Sequence, residues 1–150
     1  MELFRITRTE YQQDLSGEGA YQYGGRWNSP RNRMLYASSR RSLAMLEILV
    51  HWQQPDPPPN YVVVVLFVPD DLVSQNVIHL PYDWRMDQQW SKNAGDQWLQ
   101  ENHTLLLRVP SVVVPTEYNY LINPLHADAE AIKIINIEPF GFDKRLFVFS

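Results

Sequence analysis

Glu47 is the ionisable residue with the least expected surroundings, because it lies inside the apolar run SLAMLEILVHW, residues 42–52. His51 follows four residues later, so in a helix the two side chains share one face. An unpaired carboxylate among apolar side chains is costly. Glu47 is therefore held in an ion pair, exposed at an edge of the helix, or placed in a dry functional pocket. An isolated Glu-x-x-x-His pair is weak evidence for a metal, and we predict no metal site.

Arg26 is the second candidate, in the turn YGGRWNSP at residues 23–30. A surface turn uses Gly, Asn and Pro but does not require an Arg-Trp pair. A pairing of Arg26 with a surface carboxylate is the ordinary interpretation of such a residue. The functional alternative is a planar cation for phosphate, presented by a Gly-rich backbone that adds N–H donors. Trp27 is more typical of a core residue than of a ligand contact.

Polar residues further along the chain complete the set of candidates. Tyr36 lies in the strand-like MLYAS, either in the core or at the mouth of a pocket. Ser111 follows the apolar run LLLRVP, and no G-x-S-x-G motif surrounds it, which argues against a hydrolase nucleophile. A hydrogen bond from Ser111 to the backbone is the structural alternative. Asn119, Asn123 and His126 follow closely, and Asx-turn chemistry alone can explain Asn123 in the sequence INP.

The composition indicates one soluble domain over residues 1–150, with 45% hydrophobic and 20% charged residues. Absence of cysteine excludes disulfides, thiolate metal sites and cysteine nucleophiles. The net charge of −4 disfavours nucleic acid as the main partner. The chain starts without an apolar signal core, and its longest apolar run, YVVVVLFV, is too short for a membrane span. We therefore expect a cytoplasmic protein that binds neither membranes nor nucleic acid.

Hydrophobic periodicity predicts the elements that must position these residues. The predicted strands are ELFRI, RMLYAS, NYVVVVLFVP, a weaker NVIHL, EAIKIINIEPF and a closing KRLF. HTLLLRVPSVVVP is predicted to be a strand pair or one strand bent at Pro110. The predicted helices are residues 41–54, capped by Ser38 or Ser39 and largely buried, and MDQQWSKNAGDQWLQEN, with a break near Gly95. Residues 7–32 are expected to form a long loop, and TEYNYLINPLHADA an irregular segment. Strands outnumber helices without alternating regularly with them, which favours the α+β class.

Taken in order, the segments GGRWN, LYAS, SLAMLEILVH, VPS and EYNYLINPLH resemble the RES domain family. The Arg, Glu and Ser that give this family its name are matched by Arg26, Glu47 and Ser111. The resemblance extends from FRITR to FDKRLF, which is essentially the whole chain. One departure is SPRNRM after the Arg-Trp-Asn, where the family often has a Gly.

The resemblance implies a small mixed α+β fold similar to the diphtheria-toxin type of ADP-ribosyltransferase, with a cleft for NAD. It implies a toxin of a bacterial toxin–antitoxin pair that attacks NAD as its substrate, with no further cofactor. The reaction would be hydrolysis or phosphorolysis of the nicotinamide–ribose bond, or transfer of ADP-ribose to a protein. The implied partner is an Xre-like helix-turn-helix antitoxin that blocks the cleft. We expect a hetero-oligomer that contains a toxin homodimer.

The resemblance also implies roles for individual residues. Glu47 would stabilise positive charge on the ribose, and Arg26 would bind the diphosphate. Tyr36 would stack on nicotinamide, and Ser111 would fix the geometry of the carboxylate or the ribose. The remaining residues expected to bind substrate or shape the cleft are Gly25, Trp27, Asn28, His51, Asn119 and Asn123, with His126 beside them.

Two more distant alternatives remain at this point. A ribonuclease toxin would require a basic groove, whereas this chain is acidic. A non-enzymatic interaction module would leave Glu47 in its apolar run without a purpose.

Overall fold

The computed structural model describes residues 1–147, whose strands form a single seven-stranded sheet with helices packed against it. The strands are β1 (Glu2–Arg8), β2 (Leu35–Ser38), β3 (Tyr61–Phe67), β4 (Ser74–Asn76), β5 (Leu106–Pro110), β6 (Tyr118–Ile122) and β7 (Lys133–Phe140). The α-helices are α1 (Glu18–Tyr23), α2 (Arg41–Leu49) and α3 (Gln88–Glu101). Short 3-10 turns lie at Thr9–Tyr11, Ala129–Ala131 and Lys144–Phe147. The predicted domain, residues 1–150, extends beyond this described part.

The strand order is β4-β5-β6-β2-β1-β3-β7, and every neighbouring pair is antiparallel except β4 with β5. This mixed sheet with few helices confirms the predicted α+β class. The continuous apolar run of β3 predicts a strand buried on both faces, and residues 62–66 are indeed all buried. β3 lies between β1 and β7, so its side chains pack into the core on both sides of the sheet.

The sheet parts between β1 and β2. β1 pairs with β3 along its whole length, from Glu2 to Arg8, and β2 pairs with β6 from Leu35 to Ser38. Within residues 1–147, however, the register between β1 and β2 contains one pair, Phe4 with Ser38. The two strands diverge beyond that pair, and a cleft opens between them.

Strand alternation places Phe4 and Ile6 on one face of β1, and Arg5 and Thr7 on the opposite face. Both sets line the cleft, so it extends through the gap in the sheet. α2 packs on the first face, where Ala44 joins the core cluster of Phe4 and Ile6.

Several segments differ from the sequence prediction. Of the weak strand NVIHL only Asn76 lies in a strand, at the end of β4. SVVVP turns after β5, because the Ser111 oxygen accepts the N–H groups of Val113 and Val114.

The expected loop at residues 7–32 contains α1 and a 3-10 turn, because the Asn28 side chain donates to the Ala20 carbonyl and stabilises a helix of low intrinsic propensity. The expected irregular segment at residues 116–129 contains β6, which pairs with β2 and β5 on its two sides. KRLF forms a 3-10 turn instead of a strand, because Asp143 accepts the N–H of Arg145 in an Asx-type turn.

Both predicted helices need correction. α2 ends at Leu49, and Arg40, not Ser38 or Ser39, is its N-cap residue. The prediction that this helix is largely buried is wrong. Only Leu43 and Ala44 of α2 are buried, because only one face of the helix packs on the sheet. Val50, just after the helix, is 56% exposed. α3 continues through Gly95 without a break, because this glycine admits the Trp27 backbone against the helix.

The helices of the described chain are also too short or too polar for one of them to cross a lipid bilayer.

Candidate active-site cleft

Glu47 lies at the closed end of the cleft, where α2 carries it toward β5 and β6. Its Oε1 accepts a hydrogen bond from the Ser111 hydroxyl at 2.7 Å and from Asn119 Nδ2 at 2.8 Å. The ion pairs found within residues 1–147 do not include Glu47, so a structural ion pair is not what holds this carboxylate. Neutral donors hold it instead.

The donors to Glu47 are themselves fixed in position. The Ser38 hydroxyl donates to Asn119 Oδ1 at 2.6 Å, so the amide must present its nitrogen to the carboxylate. Ser111 is fully buried, and its oxygen accepts the N–H groups of Val113 and Val114, so its proton points to Glu47. Both donors engage Oε1, which leaves Oε2 as the oxygen for a ligand hydroxyl or a developing positive charge.

The cleft has a volume of about 510 Å³, within the range of pockets for small molecules and cofactors. Its lining comes from β1, α1, β2, α2 and β6: Phe4, Arg5, Ile6, Thr7, Tyr11, Asp14, Gly17, Glu18, Gly19, Ala20, Gln22, Tyr23, Met34, Leu35, Tyr36, Ala37, Ser38, Ala44, Glu47, Ile48 and Asn119. The register places Ser38 at the closed end and Leu35 toward the open end. Glu47 therefore lies near the end at which β1 and β2 still pair, the two strands flank the cleft, and α1 with the segment before it lies at the end of β2 that begins with Leu35.

Arg5 is the functional candidate that the sequence interpretation missed. Among the residues described, it is the one basic side chain in the lining of the cleft. Burial lowers the pKa of its guanidinium, which the nearby Asp14 carboxylate partly opposes, yet an arginine keeps its charge in proteins. Its hydrogen bond to the Tyr11 carbonyl is long, at 3.5 Å. The signal in the sequence was a charged residue inside the apolar alternation of ELFRITR.

Arg26 does not line the cleft in this conformation. Its Nη2 donates to the carbonyls of Trp84, at 3.0 Å, and Arg85, while its buried Nε has no hydrogen-bond partner among the described residues. Burial and the neighbouring Arg85 lower the pKa of Arg26, whereas Asp87 and Glu47 oppose that shift. Arg26 thus lies within electrostatic range of Glu47 but does not line the cavity, and its contact with a diphosphate stays a prediction.

The residues beside Arg26 hold the turn in place. Trp27 is 3% exposed and packs edge-on against Trp90, with ring centroids 5.8 Å apart, so it is a core residue. Asn28 is fully buried, and its Nδ2 donates to the carbonyls of Ala20, Ser29 and Asn32. This network connects the turn to α1, which forms the outer wall of the cleft.

Tyr36 joins the turn to the cleft. Its ring lines the cavity, while its hydroxyl donates to Asn28 Oδ1 at 2.6 Å and accepts the Trp27 N–H at 3.0 Å. Burial of this hydroxyl raises the pKa of the Tyr36 phenol. Gly25 is required beside it, because a Cβ there would lie 2.6 Å from the Tyr36 hydroxyl oxygen. Gly25 thus serves the packing of the turn.

We expect Tyr36→Phe to lower the free energy of unfolding by about 2 kcal/mol, because Asn28 Oδ1 and the Trp27 N–H both lose a buried partner. Chemical denaturation followed by tryptophan fluorescence measures this loss. Tyr23→Phe is the control, since Tyr23 is 81% exposed. Equal stability of the two variants would contradict the role of the Tyr36 hydroxyl.

Besides the residues of the turn, three further predicted residues are not in contact with the Glu47 carboxylate through a hydrogen bond. His51 is exposed and lies outside the cleft lining. Asn123 donates to Asn102 Oδ1 and accepts the N–H of Leu125, which is the Asx turn that INP indicates. His126 Nδ1 accepts the N–H of Asp128. In this conformation Asn123 and His126 shape the turn after β6.

Across residues 1–147, no cluster of three or more His, Asp or Glu side chains is arranged to hold a metal ion.

The mixed sheet defines this chain as a small α+β protein. The Glu47 carboxylate in a cleft between two strands of that sheet is a site of the kind that enzymes have. The model of the RES domain matches residues 2–143. The chain belongs to the RES domain family.

Curated relatives are similar in sequence to this chain over nearly its whole length. A Sphingobium protein named "Prs ADP-ribosylating toxin" is 41% identical over 145 residues, which cover 93% of this chain and 90% of that protein. A Photorhabdus laumondii protein named "Toxin Res" is 32% identical over 151 residues, 97% of each chain. A Yersinia enterocolitica protein of the same name is 36% identical over 97% of this chain and 99% of that protein.

The fold is similar to that of a chain in the crystal structure of the M. tuberculosis MbcT–MbcA toxin–antitoxin complex. The TM-score is 0.69, the sequence identity is 16%, and the match covers 97% of this chain and 86% of that chain. At this identity the similarity supports the fold alone.

Proposed function

We propose that this protein is the toxin of a toxin–antitoxin pair and that it cleaves the nicotinamide–ribose bond of NAD in the cleft. Family membership and the toxin names of the relatives support the biological role. The observation that carries the chemistry is Glu47, held through Oε1 by Ser111 and Asn119 at the end of a cavity of about 510 Å³. We further propose that the parted sheet corresponds to the fold of diphtheria-toxin-type ADP-ribosyltransferases.

Glu47 would stabilise the transition state in which the nicotinamide–ribose bond breaks. When the bond between ribose C1′ and the nicotinamide nitrogen breaks, both electrons leave with the neutral nicotinamide, and positive charge develops on the ribose. Oε2 of Glu47 stabilises that charge or holds a ribose hydroxyl, as the carboxylates of glycosidases do. Ser111 and Asn119 keep the carboxylate in one orientation, so little reorganisation is needed during the reaction. The ring of Tyr36 lines the same cavity and is the surface on which nicotinamide would stack.

Arg5 is better placed than Arg26 to meet the diphosphate of NAD in this conformation. Arg5 lines the cleft, and its one hydrogen bond among the described residues is long, whereas Arg26 is engaged by the carbonyls of Trp84 and Arg85. An arginine in a partly dry cleft binds phosphate oxygens through strong charge-assisted hydrogen bonds. We therefore propose that Arg5 binds the diphosphate. Arg26 instead fixes the position of the turn whose residues bind the Tyr36 hydroxyl.

Arg5→Gln is expected to weaken NAD binding at least about tenfold, as the loss of a charge-assisted hydrogen bond implies. Calorimetric titration of NAD into the purified protein measures this change. Arg8→Gln is the matched control, because Arg8 lies on the same strand but is exposed and outside the cleft lining. If Arg26→Gln weakened binding while Arg5→Gln did not, the diphosphate would belong to Arg26.

The acceptor of the ADP-ribose unit distinguishes two functions. Water or phosphate as acceptor would deplete NAD and arrest growth, which is the function we favour. Transfer to a protein is the second candidate, and the 41% identical relative named as an ADP-ribosylating toxin supports it. The same carboxylate and cleft would serve both reactions.

Incubation with NAD labelled in its adenosine half separates these outcomes. Free ADP-ribose indicates hydrolysis, its 1-phosphate indicates phosphorolysis, and label on protein in a cell extract indicates transfer. Unchanged NAD in all assays would refute the proposal. RNA cleavage by the purified protein under the same conditions would favour a ribonuclease instead.

The proposed partner is an antitoxin with an Xre-like helix-turn-helix domain that covers the cleft. The fold relative in a toxin–antitoxin complex supports an antitoxin, and the helix-turn-helix follows from the family resemblance alone. We also propose that the toxin acts in the cytoplasm and is a dimer within the complex. Light scattering of the protein produced together with the product of a neighbouring gene tests both the partner and the stoichiometry.

A further inference from the structure

The open end of the cleft carries a charge distribution that the proposed reaction does not explain. Beyond Arg5, the lining contains the carboxylates of Asp14 and Glu18. Within the described residues, Arg5 is the single cation in that lining. A ligand that enters with its reactive bond at Glu47 and its diphosphate at Arg5 would place its remaining half between α1 and the segment before it.

A further cation close to Asp14 is already occupied. Arg33 Nη1 contacts Glu18 Oε2 at 2.6 Å and donates to the Ser16 carbonyl at 3.3 Å. Its guanidinium also lies over the Tyr21 ring, 4.7 Å from the centroid. Arg33 does not line the cleft and already neutralises Glu18. A second phosphate at this end would meet no uncommitted guanidinium there.

Asp14 stays ionised at neutral pH. The Ser16 N–H donates to its Oδ1 at 2.8 Å. Hydrogen bonds from the side chain and N–H of Ser16 lower the pKa of the Asp14 carboxyl, and Arg5 and Arg33 add to this effect despite the opposing contribution of burial. A carboxylate at this place accepts hydrogen bonds from hydroxyl groups. It repels a phosphate that no cation compensates, whereas the diphosphate has Arg5 as its counter-charge.

We propose that the cleft takes a dinucleotide whose adenosine ribose has free hydroxyls, and that Asp14 rejects a 2′-phosphate on that ribose. This inference rests on the proposed function, since it assumes that the nicotinamide half lies at Glu47. A carboxylate that accepts ribose hydroxyls is also how other dinucleotide sites distinguish NAD from NADP. The protein is thus specific for NAD, and Asp14 is the residue that determines this specificity.

The test compares kcat/KM for NAD and NADP in the purified protein. We expect the unmodified protein to prefer NAD by about 100-fold, and Asp14→Asn to reduce this preference about tenfold by lowering KM for NADP. The amide is nearly isosteric and uncharged, so a purely structural defect would instead lower kcat for both substrates. Asp71→Asn is the control, because Asp71 is exposed and outside the cleft lining.

The outcomes separate the two proposals. Consumption of neither dinucleotide would refute the proposed function. Equal use of NAD and NADP by the unmodified protein, or an unchanged preference in a folded Asp14→Asn variant, would overturn only the specificity proposal.

A measurement on the unmodified protein covers the case in which Asp14→Asn does not fold. ADP-ribose should inhibit NAD consumption at least about tenfold more strongly than ADP-ribose 2′-phosphate does, because the latter places its charge against Asp14. Equal inhibition by the two compounds would overturn the specificity proposal.

Discussion

Glu47→Gln is expected to lower the rate of NAD consumption about 1,000-fold while the protein remains folded. Glutamine keeps the shape of the side chain and can still accept the hydrogen bonds of Ser111 and Asn119, but it cannot stabilise positive charge on the ribose. Because this stabilisation arises mainly in the transition state, kcat should fall while KM for NAD changes little. Steady-state kinetics with purified protein, together with circular dichroism, measure both quantities.

Two further variants sharpen this test. Glu130→Gln removes an exposed carboxylate outside the cleft and should leave kcat unchanged. Ser111→Ala keeps the charge of Glu47 but removes one of the two donors to Oε1, so we expect a smaller loss of about tenfold. If Glu47→Gln consumed NAD at the unmodified rate, charge stabilisation by this residue would be wrong.

Gly95→Ala is expected to destabilise the protein by about 3 kcal/mol or more, with the melting temperature lower by about 10 °C. A Cβ on Gly95 would lie 1.7 Å from the Trp27 carbonyl oxygen, which belongs to backbone and cannot rotate away. α3 or the turn must therefore move, although alanine is the better helix former. Calorimetry and urea denaturation measure the loss of stability.

The same substitution should also impair the site, because neighbouring residues of α3 hold the turn. Ser91 donates to the Arg26 carbonyl at 2.7 Å, and Asp96 accepts the N–H of Ser29 at 2.9 Å. Gly19→Ala is the matched control for stability, since Gly19 is also helical and a Cβ there meets nothing within 4 Å. A Gly95→Ala protein as stable as Gly19→Ala would contradict the close approach of α3 to the turn.

The sequence predicted the α+β class and the importance of Glu47 for a physical reason. A carboxylate in an apolar segment requires either a partner or a function, and this conflict is visible without coordinates. The identity of its partners was harder to predict. Ser111 and Asn119 lie 64 and 72 residues away from Glu47 in sequence, and they meet it only when α2 packs on the paired strands.

The wrong predictions for α2, α3 and Arg5 share one cause: a local sequence pattern does not show which tertiary contacts a residue makes. Gly95 indicates a helix break by propensity, whereas its actual role is to admit the Trp27 backbone. α2 is apolar on most sides, but its sequence does not say how many of those sides the sheet covers. Arg5 appears as one polar residue in an alternating strand, and the gap that gives it a role lies between two strands that are distant in sequence.

That gap changes what a ligand in the cleft can contact. Backbone hydrogen bonds hold neighbouring strands about 4.8 Å apart, and every second residue of β1 directs its N–H and C=O away from β3. Beyond the pair of Phe4 and Ser38, these groups of β1 face the cavity instead of β2. The sheet therefore has an inner edge in addition to its two outer ones, and a small molecule there meets main-chain donors and acceptors that no side-chain substitution removes.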